Sequence, residues 1–141
     1  MAAQHRWRAA MTGIDRNVLV RFLVEDDPRQ VERASRFLAE SRAKGELVHI
    51  SVIVLCETAW VLRSAFARPK GAILDAIEQL LRADLFRVEA EDAVRRALET
   101  CRGGKGDFAD HLIAQLNLAK GCRSTMTFDH SLRGVPGFTG L

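Results

Sequence analysis

Short apolar segments with strand character alternate with longer amphipathic segments along most of this 141-residue chain. The helical segments carry apolar residues at spacings of three and four, whereas the strand-like segments are brief apolar runs. This alternation predicts an α/β fold of three layers, α/β/α, with a mainly parallel central sheet covered by helices on both faces. The strand-like segments are the one ending at Ile14, then ELVHIS, LFRVE, CRSTMTFD and a short last one in GFTGL.

Polar residues at the segment ends predict where helices begin and end. Asp27 is a good N-cap, Pro28 suits the first helical position, and Ser51 is the expected N-cap of the helix in SVIVLCETAWVLRSAF. Gly45 and Gly121 are expected to end the helices that precede them. The RGGKG segment between two helices predicts a flexible glycine loop.

Length and composition predict one soluble globular domain over residues 11–141. Hydrophobic residues make up 48% of the chain and charged residues 28%, and no apolar run approaches the ~18 residues of a membrane span, so we expect no membrane association. The first ten residues, MAAQHRWRAA, lack the apolar region of a secretory signal and are predicted to be a tag or an N-terminal extension.

Charge and cysteine content constrain the function only weakly. The net charge is +3, and Arg6 and Arg8 in the predicted extension account for two of those charges, so the basic pI is a weak argument for nucleic-acid binding. Cys56, Cys101 and Cys122 are far apart and form no CxxC motif, which is typical of reduced thiols in a cytoplasmic protein.

Acidic residues recur where the predicted strands end. Asp15 follows the first strand, Glu57 lies about two turns into the helix after LVHIS, and Asp129 follows the strand in STMTF. Asp107 and Asp110 open the helix after the glycine loop, roughly 60° apart on its helical wheel. Because sites of α/β folds form outside the carboxyl ends of the strands, these acids are predicted to share one site.

Each acid also has a purely structural interpretation. Asp107 can be an N-cap with Asp110 at position N3, Asp129 can cap a turn, and Asp15 can cap a helix that begins at Asn17. Glu57 is harder to explain in this way, because apolar residues surround it in the sequence. A shared site explains all the acids at once, whereas the structural interpretations need separate coincidences.

Carboxylates without a histidine or cysteine cluster favour a hard cation. Oxygen ligands suit Mg²⁺ or Mn²⁺, whereas thiolates and imidazoles suit zinc. Crowded carboxylates repel one another and raise each other's pKa unless a cation compensates them. A divalent cation in such a site activates water and stabilises charge on a phosphate, so the pattern indicates hydrolysis of phosphodiesters.

The motifs GIDRNVLV, SVIVLCE, DFADHLIA and TFD, in this order, resemble those of the PIN-domain ribonucleases. Within that family the chain is most similar to the VapC-type toxins of bacterial toxin–antitoxin pairs, and FLVEDDPRQ strengthens the likeness. The resemblance implies a Mg²⁺- or Mn²⁺-dependent endoribonuclease that cleaves RNA, forms a homodimer and is neutralised by a cognate antitoxin.

The resemblance also implies roles for individual residues. The catalytic and metal-binding acids are Asp15, Glu57, Asp110 and Asp129, with Asp107 as an additional ligand, and Asn17 orders the first acid or a water.

The chain departs from the family pattern at two positions. Arg16 replaces a threonine; it is expected to bind a phosphate, to pair with a neighbouring acid or to impair metal binding. His111 replaces a common alanine and is interpreted as an incidental residue at the solvent edge. Arg16, Arg102 and Lys105 are the predicted RNA-binding residues, the last two in a loop whose glycines would let backbone amides approach a phosphate.

Two other functions compete with the nuclease. One is a catalytically weak or inactive PIN-like module that only binds RNA or an antitoxin, and Arg16 is the best argument for it. The other is a receiver-like phosphorylation domain, but that fold needs paired acids after its first strand and a lysine after a late strand, and the sequence has neither.

Overall fold

The computed structural model describes residues 10–141, so the predicted tag or extension over residues 1–10 lies almost wholly outside the described residues. The chain divides into two compact units. The first unit comprises residues up to Val61 together with Gln79–Glu89, and the second comprises Leu62–Glu78 and Ala90–Leu141. The elements are β1 (Met11–Gly13), α1 (Arg16–Leu23), α2 (Pro28–Ala43), β2 (Leu47–Ile50), α3 (Val52–Ser64), α4 (Lys70–Arg82), β3 (Phe86–Val88), α5 (Glu91–Gly103), α6 (Phe108–Ala119), β4 (Thr125–Thr127), a 3₁₀ helix (His130–Leu132) and β5 (Phe138–Gly140).

A three-stranded parallel sheet organises the first unit. Its order is β1-β2-β3, with Met11 opposite Leu47 and Val48 opposite Phe86. Val48 and Ile50 of the central strand are fully buried, and α1 packs against α2 in the same unit. Because all three strands run in the same direction, their carboxyl ends lie at one edge, where Asp15 and Glu89 follow β1 and β3.

The second unit combines a two-stranded parallel sheet with a closely packed helix pair. β4 and β5 pair in parallel, with Met126 opposite Thr139. Helices α5 and α6 pack together, and their contact is built from apolar stripes that include the fully buried Val94 and Leu112. The alternation of strands and helices and the parallel pairing of the strands are as the sequence predicts.

The predicted helix ends are confirmed by their hydrogen bonds. The Asp27 carboxylate accepts from the Gln30 backbone N–H at 3.2 Å, and Pro28 occupies the first turn of α2. The Ser51 hydroxyl accepts from the Val54 N–H at 3.2 Å, and Glu89 Oε1 accepts from the Val52 N–H at 2.9 Å. Two side chains therefore satisfy the exposed N–H groups at the start of α3, of which the sequence indicated only Ser51.

None of the helices within residues 10–141 is long and apolar enough to cross a membrane. The prediction of a single domain over residues 11–141 is not tested by the division into units and stays a prediction.

Candidate metal and nuclease site

Asp15 lies between β1 and α1 and is the N-cap of that helix. Its backbone is extended, with φ −93° and ψ 179°, and its Oδ1 accepts from the Val18 N–H at 3.1 Å. The helix begins at Arg16, one residue before the predicted start at Asn17. The capping interpretation of Asp15 is thus correct, and it leaves Oδ2 as the oxygen without a capping bond.

Glu57 lies on an exposed face of α3, next to a cation. Arg16 Nη1 is 3.5 Å from Glu57 Oε2, and both side chains keep nearly half of their surface in contact with solvent. The apolar residues around Glu57 in the sequence do not bury it, because Ile53 and Trp60 are themselves exposed on the same helix. Of the alternatives for Arg16, the structure places it in the pairing with a neighbouring acid.

Asp107 and Asp110 form a reciprocal capping box at the start of α6. The Asp110 N–H donates to Asp107 Oδ1 at 2.9 Å, and the Asp107 N–H donates to Asp110 Oδ2 at 3.1 Å. This arrangement satisfies two of the N–H groups that a helix start leaves unpaired. Arg63 is 3.8 Å from Asp107 Oδ2, a loose and exposed contact.

The electrostatics of the second unit show that acidic groups are crowded around Asp110. Partial burial raises the pKa of Asp110, and the negative charges of Asp107 and Asp129 raise it further, against the lowering effect of the hydrogen bond from the Asp107 backbone. Asp129 caps the 3₁₀ helix, where hydrogen bonds from the Ser131 hydroxyl and N–H lower its pKa. The charges of Asp107 and Asp129 therefore both act on Asp110.

The acids are grouped by unit, with Asp15 and Glu57 in the first and Asp107, Asp110 and Asp129 in the second. Within residues 10–141, no three histidine, cysteine, aspartate or glutamate side chains are arranged to hold a metal ion. The capping bonds of Asp15, Asp107 and Asp129 each use one carboxylate oxygen, Oδ1, and Glu57 faces Arg16. The donor chemistry still fits a hard divalent cation, because it consists of carboxylate oxygens and includes the crowded Asp110.

The glycine loop before α6 is held by side chains at three of its carbonyl groups. Lys70 Nζ donates to the Gly104 carbonyl at 2.6 Å, His111 Nε2 lies 2.7 Å from the Lys105 carbonyl, and Cys101 Sγ lies 3.7 Å from that of Gly106. The sequence predicted a flexible loop, whereas the structure fixes its path into the capping box of α6.

His111 is a buried structural residue, and its assignment to the solvent edge is wrong. The side chain is fully buried, and its Nδ1 lies 2.7 Å from the Thr100 hydroxyl. Because a carbonyl oxygen only accepts hydrogen bonds, Nε2 must carry the proton that binds the Lys105 carbonyl. The spacing of His111 from the buried Phe108 and Gln115 follows the core stripe of α6, which is the sequence signal that indicates burial.

The two predicted RNA-binding residues of the loop differ in their surroundings. Arg102 forms ion pairs with Asp75 at 2.9 Å and with Glu78 at 3.2 Å, so its charge is largely compensated within the protein. Lys105 is exposed, and its backbone carbonyl is the atom that His111 holds. Lys105 is therefore the better suited of the two to bind a phosphate.

A cavity of about 710 Å³ borders Asp15 within the first unit. It is formed by the end of β1, the two residues that follow it and parts of α1 and α2, and we call it the Asp15 cavity. No local pattern in the sequence indicates it. Its polar and aromatic lining residues are Thr12, Asp15, Asn17, Arg21, Gln30, Arg33 and Phe37.

A family model of the PIN domain matches residues 14–137, a range that contains all five predicted acids. Among solved structures, the crystal structure of VapC20 from Mycobacterium tuberculosis, described as a sarcin–ricin loop cleaving toxin, is similar at 22% identity and a TM-score of 0.43. That match covers 91% of this chain and 96% of the other. Comparison with curated protein sequences finds no significant match. The match to the PIN-domain model confirms the predicted fold class, and family assignment rests on it alone.

Replacing His111 with alanine is expected to destabilise the protein by about 2–4 kcal/mol. The change removes a fully buried side chain, takes away the donor to the Lys105 carbonyl and leaves the Thr100 hydroxyl with only its bond to the Ala97 carbonyl. Urea unfolding followed by circular dichroism measures the effect. His130→Ala, which removes an exposed imidazole, is the control and should change stability by no more than about 0.5 kcal/mol. Equal losses of stability in the two variants would contradict the role of His111 in holding the Lys105 carbonyl.

Asp110→Asn is expected to stabilise the protein increasingly as pH rises, when unfolding is measured in EDTA. The folded-state pKa of Asp110 is raised above its ordinary value of 3.8. The protonated carboxyl therefore stabilises the folded wild-type protein at pH values below 3.8, and this stabilisation is lost as pH rises through the raised pKa. Asparagine keeps an acceptor for the Asp107 N–H but does not titrate.

Asp129→Asn provides a comparison of opposite sign. Because the pKa of Asp129 is lowered, its carboxylate stabilises the folded wild-type protein at pH values above 3.8, and this stabilisation is lost as pH falls. The amide variant lacks this stabilisation, so it should become less stable than wild type as pH rises. Unfolding curves between about pH 2.5 and pH 7.5 test both variants, because the change at Asp129 develops below its ordinary pKa of 3.8 and the change at Asp110 develops above its own. Parallel pH dependence in the two would refute the electrostatic description of this group.

Proposed function

The chain belongs to the PIN-domain family, and from this premise we propose that it is a Mg²⁺- or Mn²⁺-dependent endoribonuclease that acts as the toxin of a toxin–antitoxin pair. The observation that supports the proposal most is the crowding of Asp107 and Asp129 around Asp110 in a family-matched segment. Repulsion between neighbouring carboxylates destabilises a folded protein, and a bound cation would relieve that repulsion.

The proposed metal ligands are carboxylates, and each is proposed from its surroundings within its own unit. They are Asp15, Glu57, Asp107, Asp110 and Asp129. A bound divalent cation supplies activation of water and stabilisation of charge on the scissile phosphate. The protein positions the ligands, because N-capping bonds fix the side chains of Asp15, Asp107 and Asp129. Asn17, next to Asp15 in the first turn of α1, is proposed to orient that carboxylate or a water.

The proposed partners are an RNA substrate, a cognate antitoxin and a second copy of the chain. Lys105 is the proposed phosphate contact of the glycine loop, whereas Arg16 and Arg102 must first leave their carboxylate partners to bind RNA. Ile53 and Trp60 of α3 are 70% and 65% exposed, and their spacing of seven residues places them on one helix face. Such an exposed apolar pair is suited to contact with a protein.

A catalytically weak PIN module that only binds RNA or an antitoxin is the second candidate. The ion pair between Arg16 and Glu57 favours it, because the guanidinium occupies an oxygen that a cation would need. The first candidate cleaves RNA and the second does not, so cleavage is the property that separates them.

RNA cleavage by the purified chain is expected in Mg²⁺ or Mn²⁺ and is expected to be abolished by EDTA. Glu57→Gln and Asp110→Asn should each remove the activity, because an amide keeps the shape of the side chain and loses the charge that attracts the cation. Both variants should remain folded; Glu57 loses only an exposed ion pair, typically ~0–1 kcal/mol. The measurement is cleavage of a labelled RNA pool under equal protein and metal concentrations.

Glu40→Gln is the matched control, because Glu40 is an exposed glutamate of α2 outside the proposed ligand set. It should cleave at the wild-type rate. Wild-type cleavage by Glu57→Gln or Asp110→Asn would refute the ligand assignment, and RNA binding without any metal-dependent cleavage would favour the binding module.

Arg16→Thr is expected to lower the Mg²⁺ concentration needed for half-maximal cleavage by about two- to fivefold. The arginine lies 3.5 Å from Glu57 Oε2 and competes with a cation for that carboxylate, whereas threonine adds no charge. Arg36→Thr removes an equal charge from an ion pair with Glu32 and serves as the control. An unchanged metal midpoint together with lower activity would show that Arg16 helps the substrate instead.

A further inference from the structure

The Asp15 cavity has the size and lining of a nucleotide site. Its volume of about 710 Å³ lies within the range of about 300–1,000 Å³ that is usual for pockets of small ligands. We propose that the cavity binds one nucleotide of an RNA strand, next to the phosphodiester that is cleaved. This inference rests on the proposed nuclease function and adds to it a substrate-binding site on α1 and α2.

Apolar atoms form the part of the cavity suited to a base. Phe37 and Ala34 lie three residues apart on α2 and line the cavity together with Val18 of α1. The phenyl ring is only partly buried, so part of it is accessible from the cavity side. Aromatic side chains stack on bases of every type, which suits recognition of single-stranded RNA.

Two side-chain amides supply the polar groups that a base edge requires. Asn17 and Gln30 lie in the first turns of α1 and α2, and both line the cavity. Each amide carries both a donor and an acceptor, so it can match the paired donors and acceptors of a base. A carboxylate or an ammonium group could not do both.

Two arginines complete the lining, and they differ in their pairing. Arg21 forms an ion pair with Asp26, and its Nε is a buried donor with no hydrogen-bond partner within residues 10–141. Arg33 is exposed and forms no ion pair with any residue that the structure describes. Arg33 is therefore the guanidinium available for a phosphate of the bound nucleotide.

The position of the cavity favours RNA over a peptide as its occupant. Asp15 forms part of the wall, and it is also a proposed ligand at the reacting centre. A strand whose phosphodiester lies near Asp15 must place a neighbouring nucleotide close by. The combination of an aromatic wall, amides and one uncompensated arginine matches a base joined to a phosphate.

The experiment measures binding of the four ribonucleoside 5′-monophosphates and of inorganic phosphate in EDTA, from amide chemical shifts of the full-length protein. At least one nucleotide is expected to shift the amides of Asn17, Ala34 and Phe37 and to bind more tightly than phosphate. Arg33→Ala should weaken that binding about tenfold, the size of one charge-assisted hydrogen bond. Phe37→Leu, which keeps an apolar side chain, should weaken nucleotide binding and leave phosphate binding unchanged.

Arg29→Ala is the matched control, because Arg29 is also an exposed arginine of α2 and does not line the cavity. It should change nucleotide binding less than twofold. Equal losses in Arg29→Ala and Arg33→Ala would reduce the effect to general electrostatic attraction and overturn the proposal. Phosphate binding as tight as nucleotide binding, or no shift of the cavity amides with any nucleotide, would also overturn it.

Two further outcomes separate this inference from the proposed function. If RNA is cleaved and Arg33→Ala leaves KM unchanged, the nuclease proposal stands and the cavity proposal fails; a raised KM with nearly constant kcat supports the cavity. If RNA is not cleaved, nucleotide binding still tests the cavity, because it needs neither a metal nor turnover. Shifts of the cavity amides by the cognate antitoxin but not by nucleotides would make the cavity a protein-binding site and overturn the proposal.

Discussion

Capping of helix starts by aspartate side chains is the constraint on which the arrangement of the acids depends. A helix leaves its first N–H groups without backbone partners, and its N-terminus attracts negative charge. Aspartate side chains cap the starts of three different helices, which are α1 (Asp15), α6 (Asp107) and the 3₁₀ helix (Asp129). Their structural and functional interpretations are therefore compatible, because one carboxylate oxygen can hold the helix while the other remains for a ligand.

Arginine side chains lie next to two of the acids that are proposed as metal ligands. Arg16 faces Glu57 in the first unit, and Arg63 lies near Asp107 in the second. Both contacts are exposed and long, so each contributes little free energy and is easily exchanged. Burial is the main cause of the raised pKa of Asp110, and the negative charges of Asp107 and Asp129 add to it. The electrostatics of the second unit thus favour the binding of positive charge.

The helices, the parallel strands and most helix starts could be predicted from the sequence, because they follow from local periodicity and from capping residues such as Asp27 and Ser51. The surroundings of Glu57 and His111 could not be predicted as well, since burial depends on which helix face meets the core. Glu57 sits in an apolar sequence and is exposed, whereas His111 is polar and fully buried. The pairing of Arg102 with Asp75 joins distant segments, and no local pattern indicates it.

Packing, not flexibility, accounts for Gly104 and Gly106 of the loop before α6, whereas a Cβ at Gly103 would meet nothing within 4 Å. A side chain at Gly104 would place its Cβ 2.8 Å from the Thr100 carbonyl oxygen, and one at Gly106, where φ is +88°, would lie 2.8 Å from Leu132 Cδ2. Both positions require glycine whether or not the loop meets a phosphate. Gly104 and Gly106 therefore give no separate support to phosphate binding, and Gly103 belongs to the end of α5. The RNA-binding proposal for this loop rests on the exposed charge of Lys105, which the anchored backbone holds beside the Asp107–Asp110 capping box.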